Sequence, residues 1–206
     1  VLFRAKLINS RANIQERLNK ILLDFEGDID ILKEDIKKKL NESWYWGDEN
    51  TKNYLDDTNM YNFGVVNYIL WRYENFLQNK GYSIQNFSIE NEQIEHISPK
   101  KPDNGVIENG YDIDENKNYD DEFESEYLHC IGNLMLISGS HNASIGNKPF
   151  TDKLESYNKN PLLNQQAEIK NFSKIENGLP VWKKESIDER HQKIVNFGVE
   201  TWNFDK

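Results

Sequence analysis

Glu95 and His96 are adjacent, and two asparagines, Asn133 and Asn142, follow nine residues apart on either side of the apolar run Leu134-Met135-Leu136-Ile137. A carboxylate is a hard oxygen donor suited to cations such as Mg2+. An imidazole with a pKa of about 6.5 can take or give a proton at physiological pH. A carboxamide can donate, accept, or offer its oxygen to a cation. Taken singly, each residue has an ordinary reading. A Glu-His pair arises by chance, Asn133 suits a turn, and Asn142 suits a helix cap. Chemistry requires elements that bring the four together.

Apolar periodicity supplies candidates for those elements. Ile14, Leu18, Ile21, Leu22 and Phe25 keep helical spacing, with Gly27 as a stop. Ile29, Leu32, Ile36 and Leu40 predict a second amphipathic helix, capped by Asp28 and exposing Lys37-Lys38-Lys39. The polar stretch 41–59, broken by Gly47, reads as loop. The strongest stripe lies in 60–80, where Phe63, Val66, Ile69, Leu70, Tyr73, Phe76 and Leu77 share a face and Gly81 follows as a stop. Those aromatics are core residues at this spacing rather than a base-stacking surface. Residues 88–97 read as a strand that carries Glu95 and His96 and ends at Ser98-Pro99; the run at 134–137 is a second, compact strand.

Between these strands, 100–126 is polar and reads as a long surface loop or insertion. Residues 149–157 predict a helix with Asn147 as cap and a proline near its first turn. A final amphipathic helix over 187–202 turns Ile187, Ile194, Val195, Val199 and Trp202 inward. The sum is a mostly helical α+β fold. Its expected organisation is a helical region over 1–87 and a second region over 88–206, with an acidic insertion at about 101–126 and a C-terminal helix.

Composition narrows the function. With Cys130 as the sole cysteine, no intramolecular disulfide can form and no cysteine-based zinc site is expected; His129 and Cys130 read as packing residues, and His191 as structural. A reducing cytoplasm suits such a chain. No run of eighteen apolar residues is present to span a membrane, and the first residues do not resemble a secretory signal. The missing initial methionine suggests a fragment of a longer polypeptide. The net charge of -10 argues against a simple nucleic-acid binder. Residues 103–126, however, hold ten acidic side chains and one lysine, which accounts for nine units of that charge and leaves the remainder close to neutral.

Ile94-Glu95-His96-Ile97-Ser98-Pro99 resembles the first motif of the HNH, or beta-beta-alpha-metal, nucleases, and the nine-residue step from Asn133 to Asn142 resembles the spacing in CRISPR effector HNH domains. More closely, Ile131-Gly132-Asn133-Leu134-Met135-Leu136-Ile137-Ser138, followed by Gly146-Asn147-Lys148-Pro149-Phe150, is similar to the nuclease domain of GmrSD-type modification-dependent restriction enzymes. Tyr68-Ile69-Leu70-Trp71-Arg72-Tyr73-Glu74-Asn75, Ile187-Asp188-Glu189-Arg190, Trp182 and Trp202 suit the same family, so the resemblance runs from about residue 60 to the end.

The resemblance implies a metal-dependent DNA endonuclease of bacterial defence, with the metal motif packed against surrounding helices. His96 would be the general base and Asn133 would orient it through a hydrogen bond to backbone or ring. Glu95 and Asn142 would hold Mg2+ or Mn2+, with His141 as the alternative ligand to Asn142. Lys148 and Lys153 would contact the DNA backbone. Glu95 and His96 would leave an ideal strand on opposite faces, so the motif needs a kink where the strand ends, and Pro99 agrees with one. In that family an NTP-hydrolysing sensor domain precedes the nuclease, and no Gly-rich phosphate loop occurs in this chain. Two other readings stay open: an RNA-directed nuclease, and a binding module that keeps the motif without turnover. The acidic insertion could also cover the site.

Overall fold

A computed structural model describes residues 2–8, 13–41, 46–80, 91–102, 110–159 and 161–203. The fold is α+β and dominated by helices, with two antiparallel two-stranded sheets among the described residues. The backbone gathers into two units, Val1–Leu55 with Val195–Lys206, and Asp56–Ile194. Thus α5 (Val66–Asn79) belongs with the strands that follow it, whereas the sequence pattern put the divide at 87.

The first unit holds α1 (Leu2–Leu7), α2 (Ile14–Leu23), α3 (Ile29–Asn41) and α4 (Asp48–Leu55). The Asn13 side chain caps α2 by accepting the Glu16 N–H, and Asp28 caps α3 by accepting from Asp30 and Ile31. Gly27, at φ +100°, makes the left-handed turn between them. Arg4 is buried, and its guanidinium donates to the Trp46 and Trp202 carbonyls and pairs with Asp48. Two expectations fail in this unit. Helix α4 occupies part of the stretch that reads as loop. Its signal is local: the Asn41 side chain accepts the Asp48 N–H, two acids occupy the first turn, and only Thr51 and Leu55 are buried. The apolar stripe at the end of α2 is also not turned inward, since Leu22, Leu23 and Phe25 are exposed, as are Ile29 and Ile31.

The second unit opens with a 3-10 turn, Met60–Asn62, and then α5. The single helix expected over 60–80 is thus broken, because Phe63 is extended before Gly64. The stripe itself holds, with Val66, Ile69, Leu70, Tyr73 and Leu77 buried. Strand β1 (Glu92–His96) pairs antiparallel with β2 (Leu134–Ser138), placing Glu95 opposite Met135 and His96 opposite Leu134. All five residues of β2 are buried, which explains its unbroken apolar run. Ser138 ends β2 and caps the next helix, α6 (Gly139–Ile145), accepting the His141 N–H at 3.3 Å. Helices α7 (Phe150–Lys159) and α8 (Asn164–Phe172), a hairpin of β3 (Lys174–Glu176) and β4 (Leu179–Val181), and α9 (Lys184–Thr201) follow. The Gly81 stop, Ser88 and Ile89, and 103–109 of the acidic stretch lie outside the described residues.

From residue 110 the stretch expected to be a surface loop is anchored in the core. Tyr111, Ile113, Tyr119 and Phe123 are buried, Ile113 and Tyr119 form a short bridge, and Phe123–Tyr127 make a π-helical turn. Most of the acids between them stay exposed, and Lys184 pairs with Asp120 and Glu122.

Helix α8 and its hairpin have no counterpart in the apolar periodicity, because α8 buries polar side chains. Glu74 of α5 is fully buried and accepts the backbone N–H groups of Asn164 (2.9 Å) and Gln165 (3.0 Å), satisfying the start of α8 with a carboxylate. Arg190 of α9 donates to the carbonyls of Ile131, Gly132 and Leu134, gathering the 3-10 turn that precedes β2. That turn lies so close to α9 that a Cβ on Gly132 would collide with the Ile187 carbonyl and come within 2.7 Å of His191 Cβ. Gly132→Ala should therefore cost about 1–3 kcal/mol through overpacking, seen as a lower urea midpoint; an unchanged midpoint would show that the contact between turn and helix can relax.

Candidate active site

The last two residues of β1 leave the strand in different directions, as its pleat requires. Glu95 turns toward α7, where its Oε1 accepts from Lys153 Nζ at 2.6 Å and Tyr157 OH at 3.0 Å. The same ammonium donates to the carbonyls of His96 (3.0 Å) and Ile97 (3.3 Å), so one buried cation binds both the carboxylate and the turning backbone. His96 turns the other way, toward Tyr61 and His129. Both side chains nevertheless line one cleft of about 600 Å³, together with Asn142, Lys100 and Tyr61.

Asn133 is fully buried and touches neither ring nor cleft. Its Oδ1 accepts the Ser98 N–H (2.9 Å) and the Trp182 indole N–H (3.2 Å), while Nδ2 donates to the carbonyls of Ser98 (3.2 Å) and Leu128 (3.0 Å). Its own carbonyl accepts the Ile97 N–H, extending the pairing one residue past β1. Of the two partners expected for Asn133, backbone and the imidazole ring, three of its four side-chain bonds run to backbone and the fourth to the Trp182 indole: the side chain fixes the chain on which His96 stands.

His96 is 5% exposed. Burial, reinforced by the nearby His129, Lys100 and Lys153, holds its pKa down to about 3, so the imidazole is neutral over the physiological range. Its Nε2 lies 3.1 Å from Nδ1 of His129, and the Tyr61 ring packs edge-on at 4.6 Å between centroids. The His129 pKa is likewise lowered, by burial first and then by Lys100. His129, which reads as a packing residue in the sequence, is thus a direct partner of His96. Tyr61 and Lys100 belong to the same cluster, with Lys100 Nζ donating to Tyr61 OH at 3.2 Å and lying 4.6 Å above its ring. No motif spacing marks these residues; they meet only once the turn at 60–62, the loop after β1 and the turn before β2 converge.

Asn142 and His141 separate cleanly. Asn142 lines the cleft, and its Nδ2 donates to Gln93 Oε1 at 2.7 Å, leaving Oδ1 to offer. His141 faces elsewhere, with Nε2 on Ser156 Oγ (2.8 Å) and Nδ1 on Gln166 Nε2 (3.2 Å). Lys148 is exposed, as a DNA contact would need. Lys153 is not: it is fully buried with its ammonium on Glu95 and two carbonyls, so its expected contact with a DNA backbone is replaced by a role inside the protein. Lys100 is the exposed cation at the cleft instead.

The model of one family, the GmrSD restriction endonucleases, C-terminal domain, matches residues 37–197. The chain belongs to that family. Comparison with curated proteins and with solved structures gave no match. Membership makes this GmrSD C-terminal domain a nuclease module of the restriction-endonuclease kind, and every cleft residue named above falls inside the matched span. Among its described residues no three of His, Cys, Asp or Glu are grouped as a full metal cage. A carboxylate and an amide oxygen on one cleft fit a hard cation that keeps several waters, such as Mg2+, and do not fit zinc.

Glu95 and Lys153 form a buried pair in which burial drives each toward its neutral form while the contact opposes it. Burial is the larger effect on Glu95, which raises its pKa above the ordinary 4.5. The fold therefore favours the protonated carboxyl; the stability this contributes is complete below pH 4.5 and is lost as pH rises through the raised value. Lys153→Met removes the opposing cation and raises that pKa further. The GmrSD domain carrying it should lose about 3–5 kcal/mol at neutral pH, where Glu95 must ionise unpaired or take up a proton. The deficit should shrink toward pH 4.5 and below. Urea titrations at several pH values check this, and a deficit independent of pH would assign the loss to packing.

Proposed function

We propose that this domain hydrolyses phosphodiester bonds in DNA by HNH-type chemistry, with His96 as general base and Glu95 and Asn142 as the residues that hold Mg2+ or Mn2+. The observation that carries the reading is the convergence of Glu95, His96 and Asn142 on one cleft, from β1 and from the helix that follows β2, inside the family match. When bound, the cation would neutralise charge on the phosphate and assist the leaving oxygen. The chain's own part is to place His96 at the cleft as a neutral imidazole, whose bare nitrogen is the acceptor for a proton from water. Asn133 and Lys153 hold the backbone at Ser98, His96 and Ile97 so that the imidazole stays at the cleft. Lys100 and Lys148 supply exposed positive charge for the phosphate backbone.

The same reading makes the chain the nuclease part of a cytoplasmic anti-phage restriction protein, gated by an NTP-hydrolysing sensor domain of the same polypeptide. Among the described residues no helix is long and apolar enough to cross a membrane. A second reading, a module that binds without cutting, draws on two observations: the net charge of -10, and the ion pair that engages one oxygen of Glu95.

The test is cleavage of supercoiled plasmid with Mg2+, Mn2+ or EDTA, beside a folded His96→Ala variant and a parallel RNA substrate. Metal-dependent nicking that falls roughly 10²- to 10⁴-fold in the variant supports the reading. Absence of cutting together with absence of Mn2+ binding favours the binding module, and preference for RNA changes the substrate alone. The rate profile supplies a further check. Since the base is neutral far below pH 6.5, cleavage should show no inflection near pH 6.5 from His96, and an acid limb there that disappears in a His96 variant would contradict the burial argument.

A further inference from the structure

We propose that His129 is a positioning residue for this nuclease: its Nδ1 accepts a hydrogen bond from the Nε2–H of His96 and so holds His96 in the tautomer whose Nδ1 is a lone pair available to water. The inference rests on the reading of His96 as the base. A neutral imidazole has one N–H and one bare nitrogen, so a hydrogen bond at one nitrogen decides what the other can do. Nε2 of His96 and Nδ1 of His129 are 3.1 Å apart, close enough for one proton between them. If His129 donated that proton, His96 would present an N–H where a base needs a lone pair.

Three features favour His129 as the acceptor. His96 Nδ1 has no hydrogen-bond partner among the described residues. That nitrogen reaches the cleft, but on a side chain 5% exposed an N–H there would be less well hydrated than one on the half-buried His129. His129 is only half-buried, so as acceptor at Nδ1 it can give its own Nε2–H to water. Its carbonyl accepts the Tyr61 N–H at 3.0 Å and its ring stacks on the Tyr61 ring at 5.5 Å and 19°, which sets the direction of its Nδ1 edge independently of His96.

The experiment reads the tautomer directly, by nitrogen-15 NMR of the full chain labelled at histidine, without metal, at neutral pH. Single substitutions assign the four histidines. In the wild type, His96 should show the Nε2–H pattern. His129→Phe keeps a ring against Tyr61 but has no acceptor. In that variant His96 should shift toward Nδ1–H, and plasmid nicking should fall roughly ten- to a hundredfold. His129→Gln offers an amide oxygen and should restore both. A wild-type His96 that is mainly Nδ1–H, or a folded His129→Phe variant with unchanged His96 signals, overturns the proposal even if DNA is cut. A tautomer that depends on His129 in a chain that neither cuts DNA nor binds Mn2+ upholds the hydrogen bond and overturns the nuclease reading instead.

Discussion

A buried carboxamide has two donor and two acceptor positions, and each one left empty costs free energy in a medium without water. Asn133 fills all four, and its partners come from three separate segments: Ser98 after β1, Leu128 before β2, and Trp182 ahead of α9. Two of the four bonds go to a single residue, with Ser98 both donating to and accepting from the amide. The end of β1 therefore cannot rotate without breaking a pair of bonds at once. Everything the cleft needs stands on that strand end or faces it. Lysine at 153 secures the next carbonyls from the other side, so the stretch from His96 to Ser98 is held on two flanks by groups that have no contact with solvent.

Buried charge is a recurring means of joining elements in the second unit. Glu74 joins α5 to the start of α8, and Glu168 of α8 meets Tyr73, Arg190 and Lys193. Arg190 collects three carbonyls around the turn before β2. Such groups are costly when unpaired and geometrically demanding when paired. A helix that slipped by one turn would strand several of them together. The arrangement favours a single packing of α5, α8 and α9 around β2, and that packing keeps the cleft residues on β1 and α6 in register.

Much of this was legible in the sequence, for identifiable reasons. Strand β2 is apolar from Leu134 to Ile137 because both its faces are covered, and α5 carries its core stripe because one face is. The motif residues were legible through their flanks, and Glu95, His96 and Asn142 do meet at one cleft. What stayed hidden was polar and non-local. Helix α8 buries Gln165, Gln166 and Glu168, so apolar periodicity passes over it. The acidic stretch hides Tyr111, Ile113, Tyr119 and Phe123 at spacings that match neither helix nor strand. The partnership of His96 with His129 spans 33 positions and depends on three chain segments meeting. Lys153 read as a contact to the DNA backbone through the family resemblance; only the placement of Glu95 shows why it is inside.

The junction at Ser138 has a further consequence. From the 3-10 turn at 131–133 through β2 to α6, no residue is left to a flexible connection, since the last strand residue is itself the helix cap. The distance from Asn133 to Asn142 is therefore a rigid length made of five strand residues and the first turn of a helix, and it works as a ruler. Adding or removing one residue within it would exchange the side chains that β2 presents to its two covered faces and rotate α6 about its axis by roughly a quarter turn. Substitutions along the ruler alter its surface, but a change in its length alters what the cleft contains.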